Sequence, residues 1–265
     1  MPGTLPALSA ARIDAFITDG FVRLDNAFSR DLAEQGRAIL WAATGCDPDN
    51  PASWTQAVVR LGELSQKPFR EAVNTPLLHS AYDQLVGPGR WLPRGGLGTF
   101  PVRFPSEQDT SDTGWHIDVS FGHEAPDFLD WRVNVSSRGR ALLMLFLFSD
   151  VGEEDAPTRI RPGSHLAIAR YLAPAGEAGR SLRDMLADRP DWFDTGREAL
   201  ATGPAGTVYL CHPFLVHAAQ ANRGKTAKFM AQPALLPNIP LQIDRADGAY
   251  TPVELAIRVA IDQPE

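Results

Sequence analysis

The first third of the chain carries the apolar spacing of amphipathic helices. After Ser9, a residue type that caps helices, apolar side chains recur every three or four residues until Gly20. Residues 21–24 alternate between apolar and other side chains, which is typical of a short strand. A second helix is predicted to begin after Ser29, and two or three more are predicted over residues 64–86. This part of the chain is therefore predicted to be rich in helix.

From about residue 87 the pattern changes to short β-like runs separated by Pro, Gly and Asn. The longest apolar run, residues 141–148, has the length and continuity of a buried strand. An insertion at about 166–200 interrupts the runs, and it is predicted to be helical around 182–187. We expect the strands to pair antiparallel and to pack as a sandwich or roll. The predicted strands are 97–104, 114–121, 131–135, 141–149, 158–160, 206–211, 215–219 and 228–234.

The whole chain, residues 1–265, is expected to form a single domain of mainly β structure with flanking helices. Its parts are predicted to be a helix-rich segment 1–90, a strand-rich core 91–236 that contains the insertion, and a C-terminal tail 237–265. A chain of 265 residues is long enough to bury one sizeable core.

The amino-acid composition disfavours several classes of binding partner. Hydrophobic residues make up 44% and charged residues 22%, and the net charge of −7 disfavours binding to nucleic acid or to an anionic membrane. The two cysteines, Cys46 and Cys211, form neither a disulfide framework nor a zinc-finger spacing. No apolar run approaches the roughly 18 residues of a membrane-spanning helix, and residues 1–10 lack the features of a signal peptide. The sequence therefore predicts a cytoplasmic protein without a nucleic-acid or membrane partner, and it leaves the oligomeric state open.

Candidate chemistry begins at His116 and Asp118, which are separated by one residue. On a strand, both side chains would point to the same face, about 7 Å apart along the chain. An imidazole and a carboxylate on one face can bind one metal ion, and a later histidine would complete the two-histidine, one-carboxylate triad of non-haem Fe(II) oxygenases. The pair alone is a weak signal, because chance matches to so short a motif are common. The later candidates in the strand-rich part are His212 and His217.

A fixed cation is predicted beside the second of these histidines. His217 precedes a predicted turn at 222–224, and Lys228 follows it. If 215–219 and 228–234 form a hairpin, the histidine and the lysine lie side by side. An iron oxygenase with a dicarboxylate co-substrate needs such a pair, because the metal takes the 2-oxo acid end and a cation pairs with the distal carboxylate.

The order of these features resembles the phytanoyl-CoA dioxygenase family of Fe(II)- and 2-oxoglutarate-dependent oxygenases. The stretches that carry the resemblance are 13–22, 116–118, the segment 158–165 with its Pro-Gly-Ser-His sequence, and 217–228. The resemblance implies a double-stranded β-helix, the jelly-roll of cupin-like proteins.

The same resemblance implies a set of metal ligands and a reaction. Fe(II) would be held by His116, Asp118 and His217, with 2-oxoglutarate as co-substrate and O2 as oxidant. The enzyme would oxidise, most often by hydroxylation, an unactivated carbon of a small-molecule substrate and release succinate and CO2. Because Asp118 is present where related halogenases have a small residue, oxygenation is favoured over halogenation.

The co-substrate anchor departs from the family pattern. Lys228 stands eleven residues after His217, where the family has an arginine. Lysine keeps the charge but lacks the two-pronged geometry of a guanidinium. We therefore expect a weaker or single-contact grip on the far carboxylate of 2-oxoglutarate, with Arg103 or Arg223 assisting.

Residues around the metal pair are candidate substrate contacts, namely Trp115, Phe121, Asn134 and Arg159. Each has a structural alternative. The aromatic rings could belong to the core, Asn134 could bond the backbone, and Arg159 could pair with the acidic turn at 153–155.

Two other functions remain open on the same residues. A catalytically silent jelly-roll could bind a ligand without redox chemistry, and the lysine at position 228 favours this alternative, whereas the intact triad opposes it. A zinc hydrolase could use the same three ligands. Succinate formation from 2-oxoglutarate separates an oxygenase from the first, and metal content after anaerobic purification separates it from the second.

Overall fold

The computed structural model describes residues 6–108, 110–188 and 195–262. Within these residues, no helix combines the length and the apolar character needed to cross a bilayer. The helices are α1 (Ala10–Asp19), α2 (Arg30–Thr44), α3 (Lys67–Val73), α4 (Pro76–Val86), α5 (Ser164–Leu172), α6 (Leu182–Asp188) and α7 (Pro252–Asp262). The strands are β1 (Phe21–Leu24), β2 (Val58–Leu61), β3 (Trp91–Leu92), β4 (Phe100–Arg103), β5 (Arg132–Val133), β6 (Leu142–Leu147), β7 (Arg159–Ile160), β8 (Arg180–Ser181), β9 (Ala199–Leu200), β10 (Val208–Cys211), β11 (His217–Ala218), β12 (Met230–Ala231) and β13 (Ala234–Pro237).

Antiparallel pairing organises the strands into two main sheets. The larger sheet has the order β1-β10-β6-β13-β3, and β12 also pairs with β6. The smaller sheet has the order β11-β7-β9. Two further strand pairs are β2 with β4 and β5 with β8. The predicted class, antiparallel sheets with flanking helices, is confirmed.

Strand β6 is buried on both faces and separates two hydrophobic clusters. The side chains at its even-numbered positions pack into a cluster that includes Phe16 of α1 and Leu40 of α2. Those at its odd-numbered positions pack into a second cluster that includes Ile160 of β7 and Tyr209 of β10. Since successive strand residues point to opposite faces, both faces must be apolar. This burial explains the continuous apolar run, and the predicted buried strand is confirmed.

The predicted hairpin between 215–219 and 228–234 is wrong. Strand β11 pairs with β7, whereas β12 pairs with β6 of the larger sheet. The connection between β11 and β12, residues 219–229, is longer than the roughly two to five residues of ordinary hairpin loops. It is long enough to cross the roughly 10 Å between packed sheets. The chain therefore changes sheets between His217 and Lys228.

Segment 114–121 is extended but is not the regular strand that the sequence predicts. His116 forms an isolated bridge with His217, whereas Phe121 forms one with Arg132. Because the partner changes within a few residues, no continuous ladder develops. The alternation still holds, since Ile117 is buried on the side away from the histidine.

The helices after β7 and at the C-terminus complete the core. The helix predicted around 182–187 is confirmed as α6, whereas α5, which begins at Ser164, is not predicted from the sequence. The predicted tail contains α7, which packs against α5, α1 and α4. Glu254 of α7 is fully buried and accepts a hydrogen bond of 3.0 Å from Nη1 of Arg90. This ion pair fixes the last helix to the segment before β3.

Two glycines at helix ends form a matched pair for a stability test. Gly20 ends α1 with φ 85° and Gly45 ends α2 with φ 70°, both in the left-handed region. A Cβ on Gly20 would lie 2.5 Å from Nδ1 of His165 and 2.8 Å from Cδ1 of Leu215, whereas a Cβ on Gly45 would meet nothing within 4 Å. The two positions therefore differ in packing and not in backbone conformation.

We expect Gly45→Ala to lower the free energy of unfolding by about 1 kcal/mol, the cost of a left-handed L-residue. Gly20→Ala should lower it by about 3 kcal/mol, because buried side chains must also move. Urea unfolding measures both values. Equal losses would show that His165 and Leu215 move aside without cost.

Candidate active site

Backbone pairing brings two distant histidines side by side. The N–H of His116 donates to the carbonyl of His217 at 3.0 Å, and the N–H of His217 donates back at 2.9 Å. The two ring centroids are 4.5 Å apart. Nδ1 of His116 lies 2.9 Å from the carbonyl of Gly114, and Nδ1 of His217 lies 3.0 Å from that of Leu215. Since a carbonyl only accepts, each Nδ1 carries the proton, and each Nε2 is left unprotonated, with its lone pair facing away from that carbonyl.

Asp118 completes a group of three possible metal ligands. Its Oδ1 lies 4.0 Å from Nε2 of His217. The ligand atoms of His116, Asp118 and His217 all lie within 4.8 Å of one another. Two imidazoles and one carboxylate that leave one side open are the donor set of a non-haem Fe(II) site, so the residues fit that metal.

The protonation of these groups favours metal binding at neutral pH. Burial alone would raise the pKa of Asp118, but Arg140 and the two imidazoles outweigh it, so that the pKa is lowered and the group is an anion. Burial, together with the neighbouring His116, lowers the pKa of His217 to about 4. His217 is therefore neutral at pH 7, as a metal ligand must be. The side-chain nitrogen of Gln232 lies 3.0 Å from Nε2 of His217 and donates to it.

A cavity of about 410 Å³ lies over this group. Four segments build most of its wall, and from residue 99 onward each contributes alternate residues, because alternate strand positions share a face. These residues are Thr99, Pro101 and Arg103, then His116 and Asp118, then His217 and Ala219, and finally Lys228, Met230, Gln232 and Ala234.

A pair of buried cations lies in the same wall. Arg103 and Lys228 exchange backbone hydrogen bonds of 3.1 and 2.8 Å, the same arrangement as the two histidines. Nζ of Lys228 donates to the carbonyl of Ala156 at 2.6 Å. Burial, with the charge of Arg103 as a second cause, lowers the pKa of Lys228 to about 7. Arg103 is held by Asp112 at 2.7 Å and by Thr110 at 3.3 Å. This end of the cavity therefore carries a net positive charge when Lys228 is protonated, because Asp112 balances only one of the two cations.

The predicted substrate contacts lie outside the described wall of this cavity. The ring of Trp115 packs against the guanidinium of Arg159, 4.4 Å from its centroid. Arg159 pairs with Glu198 at 2.9 Å, whereas the sequence leaves open a pairing of this arginine with the acidic turn at 153–155. The turn is not its partner because β7 pairs with β9, directly after Glu198.

The other two candidates are also engaged by protein groups. Phe121 lies under the guanidinium of Arg138, 5.5 Å away. Asn134 is fully buried and donates to Glu177 at 3.0 Å. The role of all four residues as substrate contacts stays a prediction. Arg223, the second expected helper of Lys228, lines a separate surface depression.

Sequence reasoning missed several residues of the cavity wall, chiefly Arg140, Gln232 and Asp112. The signal for Gln232 was present, since positions 230, 232 and 234 share the strand face of Lys228. No sequence pattern predicts Arg140 as a wall residue, because it lies at the end of a turn, and it is the conformation of this turn that places it beside Asp118. Nη1 of Arg140 lies 3.0 Å from Oδ2 of Asp118.

Comparison with known proteins gives one family. The sequence profile of the phytanoyl-CoA dioxygenase family matches residues 18–230. No protein of curated function matches the sequence significantly.

Similar solved structures agree on the fold. HygX from Streptomyces hygroscopicus, with nickel and 2-oxoglutarate bound, is 20% identical with a TM-score of 0.53, over 85% of this chain and 86% of HygX. The non-haem α-ketoglutarate-dependent carbocyclase SnoK from nogalamycin biosynthesis is 17% identical with a TM-score of 0.55, over 93% and 92%. EctD from S. alaskensis, with 2-oxoglutarate and 5-hydroxyectoine, is 21% identical with a TM-score of 0.53, over 90% and 78%. The expected jelly-roll fold is thereby confirmed.

Proposed function

The chain belongs to the phytanoyl-CoA dioxygenase family, and from this premise we propose that His116, Asp118 and His217 hold the Fe(II) of its active site. The protein is a non-haem iron oxidoreductase that depends on Fe(II) and 2-oxoglutarate. The observation that carries the proposed ligand set is the approach of three ligand atoms to within 4.8 Å of one another. When bound, Fe(II), 2-oxoglutarate and O2 supply the oxidising power, and 2-oxoglutarate leaves as succinate and CO2.

The protein's own contribution is to hold and orient these groups. The two histidines offer Nε2 because carbonyl oxygens fix their Nδ1 protons. Arg140 occupies Oδ2 of Asp118, which leaves Oδ1 to face Nε2 of His217. The side opposite these three residues is left for the co-substrate and O2.

We assign the distal carboxylate of 2-oxoglutarate to the cation pair of Arg103 and Lys228. Both side chains are almost completely buried, at 3% and 1% exposure, so their charges are poorly screened by water. Nζ of Lys228 donates only to the carbonyl of Ala156, among the hydrogen bonds of the described residues, and an ammonium has three protons to donate. Arg103 supplies the planar donor that lysine lacks.

The substrate is proposed to be a small molecule, and the reaction to be hydroxylation of an unactivated carbon. A cavity of about 410 Å³ has room for the co-substrate and a compact second molecule. Structures of the same fold hold 5-hydroxyectoine and hygromycin B, which are small molecules. We further propose that the chain acts as one domain in the cytoplasm, where a reducing environment preserves ferrous iron.

The deciding experiment is succinate formation from 2-oxoglutarate by protein loaded with Fe(II) without air and then exposed to O2. We expect slow turnover without a substrate, which stops when the iron is chelated and resumes when Fe(II) is restored. Binding of 2-oxoglutarate without succinate formation would support the silent jelly-roll instead. Zinc-dependent hydrolysis with no response to 2-oxoglutarate would support the hydrolase.

A further inference from the structure

Arg140 lies at the end of the cavity away from the cation pair. The length of strand β6 indicates how far apart the two ends of the cavity are. Strand β12 pairs with β6 at Leu147 and strand β13 pairs with it at Leu143, and these two positions on β6 are about 13 Å apart. Lys228 comes just before β12, and Arg140 comes just before the other end of β6. Gln232, between β12 and β13, contacts the metal-ligand group. The metal ligands therefore lie between Lys228 and Arg140.

A tight turn holds Arg140 in this place. Its N–H donates to the carbonyl of Ser137 at 3.1 Å, and the hydroxyl of Ser137 donates to the carbonyl of Arg140 at 2.7 Å. Gly139 has φ 88°, and a Cβ there would lie 2.4 Å from the carbonyl oxygen of Ser120. Glycine thus lets the turn press against the segment that carries Asp118, and Arg140 is positioned before any ligand arrives.

The hydrogen-bonding capacity of Arg140 is not used up by the protein. Its contact with Asp118, 3.0 Å long, is an ion pair without hydrogen-bond geometry. Nε and Nη1 are buried without a hydrogen-bond partner among the described residues. The side chain is 15% exposed and forms part of the cavity wall. A planar guanidinium with free donors is suited to bind a carboxylate.

Charge balance points in the same direction. The described wall carries three cations, Arg103, Arg140 and Lys228, and two carboxylates, Asp112 and Asp118. Fe(II) and the dianion of 2-oxoglutarate cancel each other, so one positive charge remains when both are bound. On the proposed assignment the cation pair would face the co-substrate, and Asp118 would share its charge between Fe(II) and Arg140. The unbalanced positive charge therefore falls at Arg140.

We propose that Arg140 binds a carboxylate of the substrate, so that this enzyme oxidises small organic acids. The inference rests on the proposed function and adds the substrate class to it. A single remaining positive charge matches a monoanion, and the guanidinium would hold the acid beside the open side of the metal. The carbon to be oxidised would be one near that carboxylate.

The test uses matched acids and amides, which differ in charge but little in shape. The panel is acetate, benzoate and cyclohexanecarboxylate, which are monoanions at neutral pH, each with its neutral primary amide. The Fe(II)–2-oxoglutarate complex is formed without air, and dissociation constants are read from the change in its visible absorption. We expect at least one acid to bind roughly 10- to 100-fold more tightly than its amide, the range for a hydrogen bond to a charged group. Arg140→Gln should reduce this preference to less than about threefold.

Arg138→Gln is the matched control, because Arg138 belongs to the same turn but is exposed and outside the described cavity wall. It should keep the wild-type preference, and Arg140→Lys should keep part of it. The inference is overturned if no acid binds the wild type more tightly than its amide, or if the preference survives in Arg140→Gln. It is also overturned if Arg140→Gln weakens 2-oxoglutarate and the acids by the same factor. Failure of the complex to form in the wild type would instead refute the proposed function.

Discussion

Replacement of Asp118 by alanine is expected to abolish Fe(II) binding and succinate formation. The change removes the sole anionic ligand of the proposed triad, and it leaves Arg140 as an uncompensated cation beside the metal. Loss of an outer-shell partner typically costs 10- to 100-fold in metal affinity or activity, so loss of the ligand itself should cost at least about 1000-fold in turnover. Iron stoichiometry after anaerobic loading and succinate formation would be measured on the same preparation.

Asp127→Ala is the matched control for this prediction. Asp127 is half exposed and pairs with Arg183 at 2.5 Å in a loop outside the described cavity wall. An exposed ion pair contributes little to stability, so this variant should fold and bind one iron per chain. Unchanged iron content and turnover in Asp118→Ala, with Asp127→Ala also unchanged, would mean that other residues hold the metal.

The sequence predicts the chemistry of the site better than its assembly. His116 and Asp118 could be recognised because their spacing alone places both on one face, whatever strand they pair with. Their partner His217 was also found, but the prediction paired it with the strand of Lys228. In the structure it pairs with His116, and Lys228 pairs with Arg103. Such pairings join segments that are far apart in the chain. They are determined by packing between the sheets and not by the local sequence of either segment.

The missed elements have the same physical origin. Strand β2 is half exposed and short, so its four residues carry little alternation, and only its pairing with β4 defines it. Helix α5 begins at Ser164 after Gly163, whose φ of 81° ends the extended segment. A glycine there predicts a break in the strand, but it does not predict that a helix comes next. Arg140 could not be assigned because its direction depends on the contact between Gly139 and Ser120.

Lys228→Met is expected to weaken 2-oxoglutarate binding by roughly 10- to 100-fold, the loss of a hydrogen bond to a charged group. The change replaces a buried ammonium by an apolar chain of similar length, and the gain from no longer burying a charge offsets the lost hydrogen bond to the carbonyl of Ala156, so the variant should still fold. Because Arg103 keeps one cation in place, binding should not vanish. The KM for 2-oxoglutarate should rise more than kcat falls. Lys225→Met, at an exposed position three residues earlier, is the control and should change neither value. A wild-type KM in Lys228→Met would exclude Lys228 as an anchor.

The same lysine should make co-substrate binding dependent on pH. Burial lowers the pKa of Lys228 to about 7 in the free protein, so above pH 7 the side chain is increasingly neutral. The co-substrate carboxylate favours the charged form and raises this pKa, so binding above pH 7 takes up a proton. The dissociation constant should therefore increase up to about tenfold per pH unit above 7, until the raised pKa is reached. His217, with its pKa lowered to about 4, does not titrate in this range. Lys228→Arg stays charged throughout and should bind equally from pH 7 to 9. If the pH dependence persists in this variant, another group takes up the proton when 2-oxoglutarate binds. The prediction that Lys228 titrates on binding would then be wrong.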